Sequence, residues 1–328
     1  MHDLTSYTTY SLADTPERSL RVPQIVFNSG TAAATAFLDF FTANIRNPHT
    51  RRAYAFAVGQ FLDWVQQRGL TSLAQVQPVH VAAWVELQLK RASAPTVKQH
   101  LAAIRMLFDW LVVRQIMPFN PAAAVRGPKH SVNRGKTPVL EPAEARAILD
   151  AIPIDRIAGL RDRALIGVMV YTFARVGAAT GLRVGDVYWQ QRRLWLALHE
   201  KGGKRHAMPC HHNLERYLLD YIEAAGIGAE TEAPLFRTIG RASGALTQRP
   251  MVQGDVWSMV QRRARAAGIR THICNHTFRA TGITAYLKNG GTIETAAAMA
   301  AHESTRTTQL YDRRSDQVTL DEVERVLI

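Results

Sequence analysis

Six side chains in the second half of the chain could, taken in order, move a phosphoryl group onto protein: Arg175, Lys201, His276, Arg279, His302 and Tyr311. Singly, each has an ordinary explanation. Arg175, in "TFARVGAATGLRVGDV", reads as a cation ending a long apolar helix, where it complements the helix dipole. Lys201, in "HEKGGKRH", reads as a solvated turn lysine. His276 and Arg279, in "HTFRATGIT", lie three apart and so on one helical face. His302 and Tyr311 bracket "HESTRTTQLYDRR", where a tyrosine near a terminus usually packs a last helix.

Together they cover the needs of phosphoryl transfer to a protein nucleophile. Two arginines can clamp non-bridging oxygens bidentately and offset the charge of a pentavalent transition state. Imidazoles can hold a further oxygen and move a proton. A lysine at a hairpin tip can protonate the leaving oxygen, and a phenol can form the covalent intermediate.

The stretches "ARVGAATGLRVGDV", "KGGKRHAMP", "HTFRATGIT" and "AAHESTRTTQLY" resemble, in sequence order, the motifs of the tyrosine recombinase (phage integrase) family. The resemblance implies that Arg175 opens the catalytic set and Lys201 is its hairpin lysine. His276 and Arg279 form its His-x-x-Arg pair, His302 is the next histidine, and Tyr311 is the nucleophile. "HTRRAYAFAVGQFLDWVQQRG" and "APTVKQHLAAIRMLFDWLVVRQIMPFNPAAAV" are similar to the family's helical core-binding domain, so the likeness spans about residues 31–312. Two positions depart from it. Family members often carry an acidic residue three positions after the first arginine, where this chain has Ala178, and a glycine before the third-motif histidine, where it has Ala301. Support for Arg175 must then come from elsewhere, with Asp186 as the candidate.

Bulk properties fit that chemistry. Lys plus Arg number 40 against 27 Asp plus Glu, a formal charge of +13, which points to a polyanionic partner through counterion release. The charges are dispersed rather than gathered on one amphipathic helix, which favours nucleic acid over a membrane surface. No apolar run approaches a membrane span, and the N-terminus has no signal-peptide pattern. Two cysteines, Cys210 and Cys274, make no disulfide framework and suit a reducing cytoplasm. The rival reading of "HAMPCHH" is a metal site built from His206, Cys210, His211 and His212, with His272 and Cys274 as a second pair. The hairpin and following helix account for these residues without a metal, and neither metal nor other cofactor is expected.

The elements that must position these groups are mainly α-helical. Residues 1–30 read as a polar, aperiodic flexible arm, and residues 31–126 as a four-helix, DNA-binding domain. Residues 127–137 form a basic linker, 138–312 a mixed α+β catalytic domain with one small antiparallel sheet, and 313–328 a tail helix for contact between protomers. In the sheet, "RRLWLALHE" alternates, and the Gly-Gly pair before "RHAMP" signals a hairpin. After the helix "LERYLLDYIEAAG" the chain reads as helical to its end. Candidate phosphate contacts are Arg51, Arg52, Lys90, Arg91 and Lys98 near helix ends, Lys129, Arg134 and Lys136 in the linker, and Lys204 in the hairpin.

The resemblance implies site-specific recombination through a 3′-phosphotyrosine intermediate on double-stranded DNA, with a homo-tetramer holding two duplexes. Accessory DNA-bending proteins are a further partner class it allows, and a cytoplasmic, nucleoid-associated location follows. Two rivals are a type IB topoisomerase-like nicking and rejoining enzyme, and a DNA-binding regulator with an inert catalytic domain. The helical N-terminal half argues against the first and the complete residue set against the second.

Overall fold

The structure, a computed structural model, describes residues 21–131, 135–200 and 203–312. The chain divides into two compact units, Met1–Ser131 and Val132–Ile328. The expected tail helix, Lys201 and Arg134 lie outside the described residues.

In the first unit, α1 (Gln24–Phe27) and α2 (Thr31–Asp39) run into a π-helical turn at Phe40–Asn44. α3 (Pro48–Gln66), α4 (Pro78–Leu89) and α5 (Ala94–Val113) follow. α3 starts where it does because Asn47 Oδ1 accepts from the amides of His49 (2.9 Å) and Thr50 (3.2 Å), while Pro48 needs no donor at the first helical position. The helical stripes meet in a core of aromatic residues, with Phe40, Phe41, Phe61, Trp84 and Phe108 all buried. The arm expected over residues 1–30 needs correction at its inner end. Ile25 and Val26 of α1 are fully buried in this core, and Ser29 caps onto Leu73 N at 2.8 Å. Two apolar residues are too few to show a period, which is why this turn was not visible as a helix.

The second unit begins its described helices with α6 (Pro142–Asp150) and α7 (Ile157–Tyr171), then α8 (Val176–Thr180). β1 (Val187–Gln190), β2 (Arg193–His199) and β3 (Arg205–Pro209) form an antiparallel sheet in the order β1-β2-β3. α9 (His212–Ala225) ends at Gly226 in the left-handed conformation. β4 (Arg237–Ile239) and β5 (Leu246–Pro250) make a second, two-stranded sheet. α10 (Gln253–Ala266), α11 (Asn275–Lys288), α12 (Ile293–Met299) and α13 (Thr305–Gln309) complete the unit. The expectation of one sheet followed only by helices is therefore corrected. β4 is three residues long and β5 is mostly polar, so neither displays a readable alternation.

Leu194, Leu196 and Leu198 turn inward from β2, as their alternation predicts, and pack with α7 and α9 residues in the main core. A smaller cluster holds Phe173, Ala280, Ile283, Leu287, Ala296, Ala300 and Tyr311. A buried ion-pair cluster and a close helix approach tie the main core together. Asp162, fully buried, is held by Arg161 (2.6 Å) and Arg263 (2.8 Å), which links α7 to α10. Gly282 lets α11 approach α7 closely, because a Cβ there would lie 2.1 Å from the Val170 carbonyl oxygen. That close approach brings Arg279 to the end of α7.

Candidate phosphoryl-transfer site

Arg175 does not end a long helix, which corrects the sequence reading. α7 stops at Tyr171, Phe173 takes a left-handed φ of 55°, and Arg175 then occupies the N-cap of the short α8. A bulky residue at positive φ is a strained stop, tolerated where surrounding packing fixes it. Phe173 is buried in the smaller cluster, and its carbonyl accepts from Arg279 Nη1.

Arg279 is almost fully buried on α11, and its Nη2 donates to the Ala300 carbonyl at 2.6 Å. Its guanidinium thus bridges the C-terminal ends of α7 and α12, where carbonyls and helix dipoles favour a cation. Burial and the neighbouring Arg175 push its pKa down to about 10, opposed by Glu200 and Tyr311, so it stays charged near neutrality.

Glu200 was not foreseen as a site residue. Its Oε2 accepts from Arg175 Nη1 at 2.6 Å, its Oε1 accepts from the Arg175 amide at 3.3 Å, and Arg279 Nη1 stands 3.9 Å from Oε1. Asp186, the expected support, is instead bound to the Arg183 amide (2.8 Å) and lies 3.3 Å from His199 Nε2. The signal for Glu200 was present in the alternation. Leu194, Leu196 and Leu198 face inward, and two residues further the same face receives a carboxylate. The Glu200 amide also donates to the Lys204 carbonyl at 2.7 Å, which closes the hairpin, with Gly203 at φ 78°. Lys201, read from sequence as the hairpin lysine, lies outside the described residues.

His302 is placed by the end of α12. The His302 amide bonds the Ala297 carbonyl (2.9 Å) and the Ala301 amide the Ala298 carbonyl (3.0 Å), with Ala301 at φ 46°. This is the paired bonding of a Schellman cap, and it requires the left-handed residue that glycine usually supplies. His302 Nδ1 lies 2.8 Å from Thr308 Oγ1, and its ring lies parallel to that of Tyr311, centroids 6.0 Å apart. Burial, then Arg279, Arg175 and His276, push its pKa down to about 4.

Tyr311 follows α13 and is mostly buried. Its carbonyl accepts from Thr284 Oγ1 (2.9 Å), and its hydroxyl lies 3.3 Å from His276 Nε2. The His276 pKa is lowered by burial, then by Arg279 and Arg175, so the ring is neutral and able to accept a proton near pH 7. The structure therefore brings Arg175, His276, Arg279, His302 and Tyr311 into one site.

The candidate phosphate contacts fare unevenly. Arg52, Lys90, Arg91, Lys98, Lys129 and Lys136 are exposed. Arg51 is half-buried, and its Nε (3.1 Å) and Nη2 (2.9 Å) donate to the Ile45 carbonyl before α3. Lys204 is exposed and stands 3.7 Å from Glu303. Among the described residues no three His, Cys, Asp or Glu side chains gather as a metal site. Burial and Glu215 push the Cys210 thiol up to about 12, and His211 stacks on Tyr171 with centroids 4.4 Å apart. Among the described residues no helix is long and apolar enough to cross a membrane.

Two guanidiniums, two neutral imidazoles and a phenol converge on a mainly helical scaffold, an arrangement whose chemistry suits phosphoryl transfer. Residues 138–317 match the phage integrase family and residues 35–115 the N-terminal SAM-like domain of phage integrases. The chain belongs to the phage integrase family, and its enzyme class is tyrosine recombinase. It is 28% identical over 264 residues to tyrosine recombinase XerC of Xylella fastidiosa (strain 9a5c), covering 80% of this chain and 85% of the relative. In fold it is similar to the XerH site-specific recombinase bound to a palindromic difH substrate in a post-cleavage complex. That match has a TM-score of 0.68 and 19% identity, and covers 84% of this chain and 79% of the other. A lambda integrase tetramer bound to a Holliday junction matches with a TM-score of 0.64 and 18% identity, covering 89% and 82%.

Proposed function

We propose that the chain cleaves double-stranded DNA by attack of the Tyr311 oxygen on a backbone phosphate, and then exchanges strands between two sites. The phenolic proton passes to His276 as the Tyr311–phosphorus bond forms. The bond to the 5′-oxygen breaks, and that oxygen leaves as a hydroxyl with a proton from Lys201. The product is a 3′-phosphotyrosyl bond that keeps the phosphodiester's energy, so a 5′-hydroxyl from a second duplex can reverse the step and join the exchanged strand. Arg175, Arg279 and His302 bind the non-bridging oxygens, and no metal or nucleotide is needed. The exchange amounts to integration, excision or resolution according to how the two sites are arranged.

The observation that carries this reading is the 3.3 Å separation of Tyr311 Oη from a neutral His276 Nε2 beside two paired guanidiniums. Exposed Arg52, Lys90, Arg91, Lys98, Lys129 and Lys136, with Arg134 and Lys204, are the proposed backbone contacts, and they set affinity and salt dependence. A tetramer on two duplexes is proposed because the lambda integrase neighbour forms one on a Holliday junction. DNA-bending accessory proteins and residence on the nucleoid belong to the same proposal.

The test uses a pool of random-sequence duplexes carrying a nick, with protein–DNA adducts recovered under denaturing conditions and sequenced. The wild type should enrich one site and hold its 3′-phosphate on Tyr311 by peptide mapping. Tyr311→Phe should bind the enriched site with unchanged affinity and form no adduct. Adducts of undiminished yield in Tyr311→Phe would remove Tyr311 from the chemistry. Relaxation of supercoils without any exchange between two copies of the site would favour the topoisomerase-like reading.

A further inference from the structure

Arg175 is the N-cap of α8, and the residue at the third helical position is Ala178. At a helix start, an acidic side chain at that third position can reach back to the N-cap amide and satisfy it. Ala178 has no such group. The same amide is instead bound by Glu200 Oε1 at 3.3 Å, and Oε2 of the same carboxylate holds the Arg175 guanidinium at 2.6 Å. Glu200 arrives from a different element, the inward face at the end of β2, and its side chain is 1% exposed. A buried carboxylate is costly unless paired, and this one has Arg175 bonded to it and Arg279 within 3.9 Å.

We infer that Glu200 is the positioning residue of the phosphate clamp, delivering from the sheet the carboxylate that α8 lacks and fixing Arg175 and Arg279 relative to one another. It touches no reacting atom. Its backbone amide also donates to the Lys204 carbonyl, so one residue ties the guanidiniums to the backbone that leads into β3. The inference rests on the proposed cleavage reaction and adds to it a role for a residue outside the six-residue catalytic set. It also predicts opposite effects on binding and chemistry. A carboxylate facing a phosphate site opposes DNA binding, while its orientation of the clamp favours the transition state.

The test measures DNA affinity, single-turnover adduct formation and thermal unfolding for full-length variants on the nicked site enriched from the random pool. Glu200→Gln should bind DNA as tightly as the wild type or more so. It should cleave about ten- to a hundredfold more slowly, the range seen when a group orienting a liganding side chain is lost. Glu200→Asp should recover part of the rate. Ala178→Glu placed in the Glu200→Gln background should recover more, since a carboxylate then reaches the same amide from within α8. Should Glu200→Gln unfold, Glu200→Asp alone decides, by whether it slows cleavage at wild-type affinity. Wild-type cleavage rates in Glu200→Gln, or an equal loss of affinity and rate with no recovery from either carboxylate, would overturn the inference. Absence of any adduct with the wild-type protein would instead overturn the proposed function.

Discussion

The backbone amide of Gly135 donates to the carbonyl of Leu310 at 2.9 Å, one residue before Tyr311. Gly135 lies in the basic segment read from sequence as a linker, so this segment grips the stretch of chain that carries Tyr311, the proposed nucleophile. The grip depends on the missing side chain, because a Cβ on Gly135 would stand 2.7 Å from the Leu310 oxygen, against backbone that cannot swing aside.

Gly135→Ala should therefore displace the 310–311 segment while leaving the two larger hydrophobic cores intact. Misplacement of a reacting group by about 1 Å can cost ~10²-fold in rate, so cleavage should fall by at least about tenfold. Single-turnover adduct formation and thermal unfolding, measured side by side, check this. An unchanged cleavage rate would show that the contact does not position Tyr311.

The two arginines should each contribute to stability as well as to rate. Arg175→Ala and Arg279→Ala should each slow cleavage ~10²-fold or more through loss of transition-state charge stabilisation, with far smaller losses of DNA affinity. Arg279→Ala also strips donors from the buried ends of two helices, Phe173 O and Ala300 O. Each unpaired buried carbonyl costs about 1–3 kcal/mol. Arg175→Ala leaves the buried Glu200 carboxylate with Arg279 alone, 3.9 Å away, which also costs stability. Denaturant unfolding should show a loss in both variants. Wild-type stability in Arg279→Ala would contradict its bridging role.

How much of this site the sequence disclosed depends on the length scale of each signal. The stripes of α3 and α5 and the alternation of β2 are periodic over many residues, so their elements and inward faces were legible. The proposed catalytic residues were named from order and type, and the five that are described meet in one site. The partner of Arg175 was not, because its choice between Asp186 and Glu200 is made by the path from β2 back to α8. No spacing along the chain encodes that path. The local bond of Arg51 was equally hidden: two of its donors are taken up by Ile45 O, a carbonyl that the chain leaves open where its π-helical turn ends. The break between α7 and α8 was hidden by an unbroken apolar run through Phe173, whose backbone sign no composition reveals.

Protonation should act on stability in one direction. The folded His302 has its pKa pushed down to about 4, against about 6.5 when unfolded. Below 6.5 the unfolded chain takes up a proton that the folded chain refuses. This contribution to stability is thus complete above pH ~6.5 and is lost as pH falls toward ~4. His276, lowered in the same direction, adds to the effect. Denaturant unfolding between pH 7.5 and 4.5 should show falling stability, with a shallower slope in His302→Gln, and NMR should place the His302 midpoint well below 6. A midpoint near 6.5 would mean that His302 is solvated rather than held against the arginines.

Ala301 gives the last test, because its conformation and its residue type are at odds. It holds φ 46° at the position where the α12 cap needs a left-handed residue, and both cap bonds, Ala301 N to Ala298 O and His302 N to Ala297 O, depend on it. A Cβ in that region costs about 1 kcal/mol relative to glycine. Ala301→Gly removes the cost without touching the Ala300 carbonyl that receives Arg279 or the amide that places His302. The variant should be more stable by about 1 kcal/mol, partly offset by the greater freedom of glycine in the unfolded chain, and should cleave at the wild-type rate. Ala301→Val presses a branched side chain into the same conformation, so the cap should loosen and carry His302 away from Thr308 and Tyr311. Both stability and cleavage should then drop. If glycine proves destabilising, or valine leaves cleavage untouched, the left-handed cap is not what places His302.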